Sequence, residues 1–370
     1  KDGLRVYVKS YRTGLGIGGG YFVYDSTKAN VNNSGTVING WVREFKNVVS
    51  IVDFGGHSEA TAIENATALN KALAACKIVV IPVGDFNLEP NTVKINNKNR
   101  LYCYGQLIGT EKDMSAKADL AGIYINASGV DDFEINTVNI RNGYRGIGIN
   151  VEGCKNFTID KPVVDGFTFG IRIAEQDYNV ENSQGSQNFT INKPTIKNTR
   201  YWGLYIRSLH ITDETKKTKN FKVVKPSFYN CHMAGFVAAE GNVKNFVLDN
   251  PYFDRCNVCM HFESASNYTI INPRDNDTGK KPDHVQANTE YPFVNWSLYQ
   301  CFVTDSKVIG GVLVADVEHL ATKGSECKNL HYTNLTARTF IFEGAGEEQD
   351  TNKDFFDDVS FIQCTTTNEF

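Results

Sequence analysis

One short pattern returns six times in this chain and limits what it can fold into. Asp132-Phe133-Glu134-Ile135, Asn156-Phe157-Thr158-Ile159, Asn188-Phe189-Thr190-Ile191, Asn220-Phe221-Lys222-Val223, Asn245-Phe246-Val247-Leu248 and Asn267-Tyr268-Thr269-Ile270 share a polar lead, a ring, and an aliphatic residue two places on. The rings at 133, 157, 189, 221, 246 and 268 lie 24, 32, 32, 25 and 22 residues apart. A repeat of that length marks a solenoid. Each segment alternates apolar and polar, as a short strand with one buried face does.

The strands come in sets. Ahead of each lies another short strand: Gly122–Ile125, Gly146–Ile149, Gly170–Ile173, Gly203–Ile206, Gly235–Ala238 and Cys259–Phe262. Behind most lies a third, opened by Pro162, Pro194, Pro226 or Pro251. Three strands per turn of 22 to 32 residues is the arithmetic of an all-β parallel β-helix. Leucine-rich repeats have a similar period, but their leucine-asparagine consensus is absent and no helix fits inside the coils. An antiparallel sandwich would not return the same residue types in register every coil. The reading predicts that Phe157, Phe189, Phe221, Phe246 and Tyr268 stack inside.

Composition removes other classes. The net charge of −4 over 370 residues argues against a nucleic-acid binder. No apolar run is long enough to span a membrane. The nine cysteines lack metal-ligand spacing. Cys256 and Cys259 form a C-x-x-C, but no second pair lies near, so no metal is expected. Cys231 and Cys256 hold equivalent third-strand positions and read as stacked, reduced thiols, which fits synthesis in a reducing cytoplasm. The Asn-x-Ser/Thr sequons recur because the coil recurs.

Residues 1–46 stand outside the repeat and form a neck. The glycine run Gly14–Gly20 lacks the Gly-Lys-Ser/Thr ending of a phosphate loop. Tyr21–Tyr24 and Thr36–Trp41 read as a β-hairpin around Asn32–Gly35. Residues 47–90 read strand (Val48–Asp53), helix, strand (Lys77–Pro82). Thr61 and Glu64 form a possible capping box, and Ala62, Ala66, Leu69 and Leu73 share one helical face. A solenoid needs its open end closed, and this helix is the natural lid. The β-helix is then expected over 91–343, loosening after Phe302, where Val308, Leu330 and Val359 continue in unknown register. A polar C-terminal segment, 344–370, follows.

Val52-Asp53-Phe54-Gly55 before the helix, with Val80–Leu88 after it, resembles the entry to the β-helix of bacteriophage tailspike proteins. Gly18–Asp25 and Gly35–Trp41 resemble the neck of tailspike depolymerases. By motif the likeness covers residues 14–90; beyond, it rests on the coil pattern. The entry motif also occurs in pectin-degrading and other β-helix proteins of the pectate-lyase-like kind. The resemblance implies a right-handed helix, a homotrimer, and binding or cleavage of a bacterial surface polysaccharide, capsule or O-antigen. It also implies a place in the virion tail, with the N-terminal side toward the phage, and no cofactor.

Two insertions, Tyr178–Ser186 and His210–Thr218, fall between first and second strands of neighbouring coils, and a third, Asp277–Asn295, follows a third strand. Long loops on a tight scaffold build binding sites. Stacked by their leading glycines, the first strands turn Ile123, Ile147, Ile171, Leu204, Phe236 and Met260 inward. They turn Tyr124, Gly148, Arg172, Tyr205, Val237 and His261 outward. A further outward row is Asn126, Asn150, Ala174, Arg207, Ala239 and Glu263, with Glu175, Ser208 and Glu240 just past it. Coils stand about 4.8 Å apart, so Glu240 is one coil from Glu263 and two from Glu175. Glycoside hydrolysis needs two carboxyls, about 5–5.5 Å apart for retention and about 6.5–9.5 Å for inversion. Glu240 is the expected general acid, with Glu263 or Glu175 as partner. Arg172, Asp177, Trp202, Tyr205, Arg207 and His261 are the expected substrate-binding residues, the arginines for acidic groups and the rings for stacking.

A polysaccharide lyase on the same fold would use Tyr205 or His261 as base, with Arg207 neutralising a uronate. A glycan-binding adhesin would turn nothing over. Asp254 and Asp275 read as surface or trimer contacts, and His210 and His331 as structural. The Gly-x-Ser-x-Gly elbow of a serine esterase is absent.

Overall fold

The computed structural model describes residues 2–45, 47–91, 93–110, 122–175, 183–209, 211–278, 294, 296–322, 325–345 and 356–367. Arg5–Ser10, Gly18–Tyr24, Trp41–Arg43 and Val37–Ile38 pair in that order as an antiparallel four-stranded sheet. The hairpin turn falls at Asn39 and Gly40, both at positive φ (49° and 89°), not at Asn32–Gly35. Asn-Gly is the pair a two-residue hairpin favours. The glycine run serves packing. A Cβ on Gly18 would stand 2.1 Å from the Val52 carbonyl oxygen, and one on Gly19 would stand 2.4 Å from that of Lys9. Buried Arg43 closes the joint to the helix. It donates to the Gly19, Gly18 and Gly35 carbonyls at 2.6, 2.8 and 3.2 Å, and lies 3.2 Å from Asp53.

The expected strand Val48–Asp53 is shorter, Val48–Ser50, and runs into a 3-10 turn, Ile51–Phe54. Asp53 returns its carboxylate to the Ser50 N–H at 2.8 Å and so ends the strand. The helix α1, Ala62–Ala75, opens with the Thr61/Glu64 capping box and lays Ala66, Leu69, Ala72 and Leu73 on the first coil.

From there the chain winds as a right-handed parallel β-helix. The second strands form a twelve-stranded parallel sheet that starts at Val48–Ser50 and reaches Phe356–Ile362. First and third strands share a sixteen-stranded sheet, because Asn139–Glu152 and Val163–Ala174 run unbroken through the corner. The six rings stack inside as expected. From Phe133 to Tyr268 successive centroids are 4.8, 4.7, 4.6, 4.7 and 4.9 Å apart, with planes within 6° of parallel. Leu330 and Val359 continue the ring row beyond Ser306, whereas Val308 continues the aliphatic row of Ile270.

The polar lead residues have their own reason. Asn156, Asn188, Asn220, Asn245 and Asn267 sit at φ between 49° and 58°, in the left-handed region that asparagine tolerates. Their side-chain amides form an external ladder from coil to coil. The first-strand glycines mark another corner. A Cβ on Gly148, Gly170, Gly203 or Gly235 would lie 2.5–2.8 Å from Val164, Ile196, Phe228 or Phe253 of the third strand. One coil on, the third-strand residue is Asp275, and the corner residues become Cys259 and Ser297. Asp275 is buried, which corrects its expected place on the surface. Its carboxylate accepts from Thr278 at 2.6 Å, from Ser297, and from the Val314 N–H at 2.6 Å, so its charge is met inside. All nine cysteines are free, and burial pushes the Cys256 and Cys259 thiols well up, so they stay protonated.

Toward the C-terminal end the core turns polar. His319, fully buried, has Nε2 at 2.8 Å from Gln300 Oε1 and also meets the Tyr332 hydroxyl; Nδ1 lies 3.2 Å from the Ile341 carbonyl. Burial pulls its imidazole down from 6.5 to about 4. The fold therefore holds the neutral ring. Its contribution is whole above about 6.5 and is lost as pH falls from there toward 4. Thermal melts should show a stability loss on the order of 3 kcal/mol across that window. His319→Gln should remove most of that slope; equal slopes in both proteins would contradict the assignment.

Candidate functional site

Three rows of outward side chains cover the first-strand sheet. In coil order, the row nearest the corner is Phe169, Trp202, Ala234, Val258, Trp296 and Asp316. The middle row is Arg172, Tyr205, Val237, His261, Tyr299 and Glu318. The far row holds Ala174, Arg207, Ala239, Glu263 and Cys301.

The expected register is right from Gly170 onward and two residues off before it. Ile149, not Ile147, pairs with Ile171, so Gly148 is the corner glycine and Asn150 faces Arg172. Gly146-Ile147-Gly148-Ile149 offers two glycines, and only the second meets the third strand. Tyr124, expected outward, is fully buried with its ring edge-on to Phe167 at 5.5 Å.

Two of the expected residues are locked inward. The Glu175 side chain has no exposure and lies 3.3 Å from Arg207, whose guanidinium also lies 3.5 Å from Glu240. Glu175 therefore cannot touch a substrate. It positions Arg207, which corrects its place among the candidate catalytic acids. Arg172 is also paired within the chain, to Glu152 at 2.6 Å and Asn150 at 2.7 Å. Neither arginine stands open for an acidic sugar as expected.

Glu240 and Glu263 do reach solvent, with side chains 34% and 42% exposed. Glu240 stands at φ 58°, where the strand ends, and accepts from the Tyr205 hydroxyl at 2.5 Å. Burial, then the Glu240 carboxylate, pushes the Tyr205 phenol well up, so it keeps its proton. Glu263 lies 3.8 Å from His261 Nε2, too far for a hydrogen bond, and the neighbouring ring lowers its carboxyl from the ordinary 4.5.

Trp202 lies 4.2 Å from Tyr205, a partly buried ring against a buried one. Farther along, Trp296 stacks on Tyr299 at 4.6 Å and 14°, and His261 meets Tyr299 edge-on at 5.0 Å. Glu318, next to Tyr299 on the ladder, was not anticipated. Burial, then the Glu343 carboxylate, pushes its carboxyl up, and the nearby Trp296 indole opposes the shift. Trp296, Tyr299 and Glu318 escaped sequence reasoning because Ser297 replaces the leading glycine. The repeated Trp-x-x-Tyr spacing was the available signal.

Asp177 and His210 lie outside the described residues. Asp254 stays near the surface, 3.9 Å from Arg255. His331 has an acidic neighbour after all, Asp358 at 4.0 Å, and its Nδ1 lies 2.7 Å from Ser360 Oγ. Two open depressions lie on the second-strand face. One, about 460 Å³, runs from Asn188 to Thr269; the other, about 630 Å³, holds Asp305, Lys307 and His331. They are shallow and lined by the asparagine ladder, without aromatic rings beside a carboxyl pair. The first-strand face, where rings, histidine and carboxyls meet, is the better candidate. Among the described residues no His/Cys/Asp/Glu group could hold a metal, and no helix is long and apolar enough to cross a membrane.

An extended parallel β-helix behind a small antiparallel sheet defines a class, and the comparisons agree with it. Residues 1–47 match the phage tail protein small four-stranded beta-sheet domain. None of the curated proteins matches the chain by sequence. The gp42 tailspike of Acinetobacter phage vb_AbaP_AS12 superposes with a TM-score of 0.55 at 15% identity, covering 100% of this chain and 71% of the tailspike. Tailspike protein 2 of Escherichia coli O157:H7 bacteriophage CAB120 gives 0.56 at 12% identity, covering 99% of this chain and 49% of that one. The A-module of the Azotobacter vinelandii mannuronan C-5 epimerase AlgE4 gives 0.54 at 9% identity, covering 86% and 97%. At such identities the likeness is one of fold. The chain thus shares the parallel β-helix fold of these tailspikes, behind an N-terminal segment that matches the phage-tail domain, and spans about half the length of the second tailspike.

Proposed function

We propose that this chain is part of a phage tailspike that binds a bacterial surface polysaccharide, capsule or O-antigen, and cleaves it by glycoside hydrolysis. The observation that carries the reading is the placement of two solvent-reaching carboxyls on adjacent coils, Glu240 against Tyr205 and Glu263 near His261. Glu263, held ionised by His261, suits the base or nucleophile. Glu240 is the other member of the acid–base pair, its carboxyl placed by the Tyr205 hydroxyl and Arg207. Trp202 offers a face to a sugar ring. A hydrolase leaves a new reducing end, a lyase an unsaturated sugar absorbing in the ultraviolet, and an adhesin neither. Incubating the chain with purified capsular and O-antigen polysaccharides and assaying both products decides among them. A lyase would use Tyr205 or His261 as its base.

The reading extends to assembly. Three copies form the working unit, the neck faces the phage tail, and the protein is made in the host cytoplasm. Sedimentation equilibrium should give a mass near three times 41.2 kDa; an active monomer at micromolar concentration would contradict the trimer.

A further inference from the structure

The sheet carries one motif twice. Trp202-Gly203-Leu204-Tyr205 and Trp296-Ser297-Leu298-Tyr299 occupy the same rows, three ladder steps apart through Ala234/Val237 and Val258/His261. Three steps are about 14 Å. Each ledge has an acid beside it: Glu240 takes the Tyr205 hydroxyl, and Glu318 stands next to Tyr299 on the ladder. Between the ledges the outward residues nearest the corner are small, and the rings pack over them. Trp296 and Tyr299 also stack on each other, 4.6 Å apart and within 14° of parallel. Trp202, Trp296 and Tyr299 nevertheless remain partly in solvent. Rings with one apolar face seated and one wet are what recognition surfaces use.

We propose that Trp296 and Tyr299 form a second sugar-stacking subsite, so that the polysaccharide lies along the helix axis and rests on both ledges. The inference rests on the proposed glycan binding and names the direction and extent of the site. A span of about 14 Å is more than one monosaccharide can bridge, so the site is built for internal stretches of a polymer. Glu240 and Glu263 then stand beside the middle of the span, where chain cleavage would be endo-acting. Engaging both ledges with one molecule also gains affinity by making the second contact intramolecular.

The test uses the full chain on an array of purified bacterial capsular and O-antigen polysaccharides, with Trp296→Leu and Trp296→Phe beside it. Leucine keeps an apolar plug over the small residues but presents no flat face; phenylalanine keeps the face. Trp296→Leu should lose affinity by about tenfold or more, and Trp296→Phe far less. Melting of each variant checks the fold, and Tyr299→Leu replaces Trp296→Leu if the latter does not melt cooperatively. Unchanged binding by the leucine variant overturns the subsite and leaves the proposed function standing. A wild-type chain that binds none of the polysaccharides overturns both.

Discussion

Replacing Phe221 with alanine should destabilise the chain by about 3–5 kcal/mol. The ring lies between Phe189 at 4.6 Å and Phe246 at 4.7 Å, each within 4° of parallel, and is 5% exposed. Its removal leaves a slot that cannot close, because backbone ladders fix the coil spacing on either side. Both neighbouring rings lose their contacts across the gap, and the cost includes that cavity as well as the lost transfer energy. The outward neighbour Lys222→Ala is the control, expected to change stability by no more than about 0.5 kcal/mol. Calorimetric melts of the two variants measure the difference. Equal effects would mean that the inner stack does not hold the coils.

Glu240→Gln and Glu263→Gln should each cut the appearance of new reducing ends by about 100-fold or more, since acid–base assistance is worth at least that. Glycan binding should survive, because the aromatic ledges remain. The pH profile gives a second readout. Glu263 is held below 4.5 by His261, so the acidic limb of activity should lie below that value. His261→Ala should move the limb upward, toward the ordinary carboxylate range. If both glutamine variants cleave at the wild-type rate, the first-strand face is not the active site, and the second-strand depression around Asp305 and Asp358 becomes the next place to look.

The inner half of this molecule was far more legible than the outer. A stacked ring must return every coil or leave a hole, so Phe157, Phe189 and Phe221 announce their own register. The capping box at Thr61 and Glu64 is equally local and was read directly. Outward residues obey no such rule. Glu175 and Glu240 look alike in the sequence, yet one is sealed against Arg207 and the other reaches solvent. Asp275 looked like surface because a carboxylate on a third strand usually is. Its burial depends on Ser297, Thr278 and the Val314 N–H, which only the winding brings together. The glycine alignment failed where two glycines competed, since what selects Gly148 is the bulk of Val164 across the corner.

The joint at Arg43 has a mechanical consequence. One guanidinium spans three neck carbonyls and Asp53 of the first coil, and Gly18 presses its backbone against Val52. Swinging the helix on the neck would break the Arg43–Asp53 pair and strand a buried charge, while the three carbonyl bonds, all inside the neck, would stay. The ion pair and the close backbone contact therefore stiffen the joint. If the neck is gripped by a larger assembly, the angle at which the helix projects is set by the grip. Pointing the sheet at a surface is then the task of whatever holds the neck.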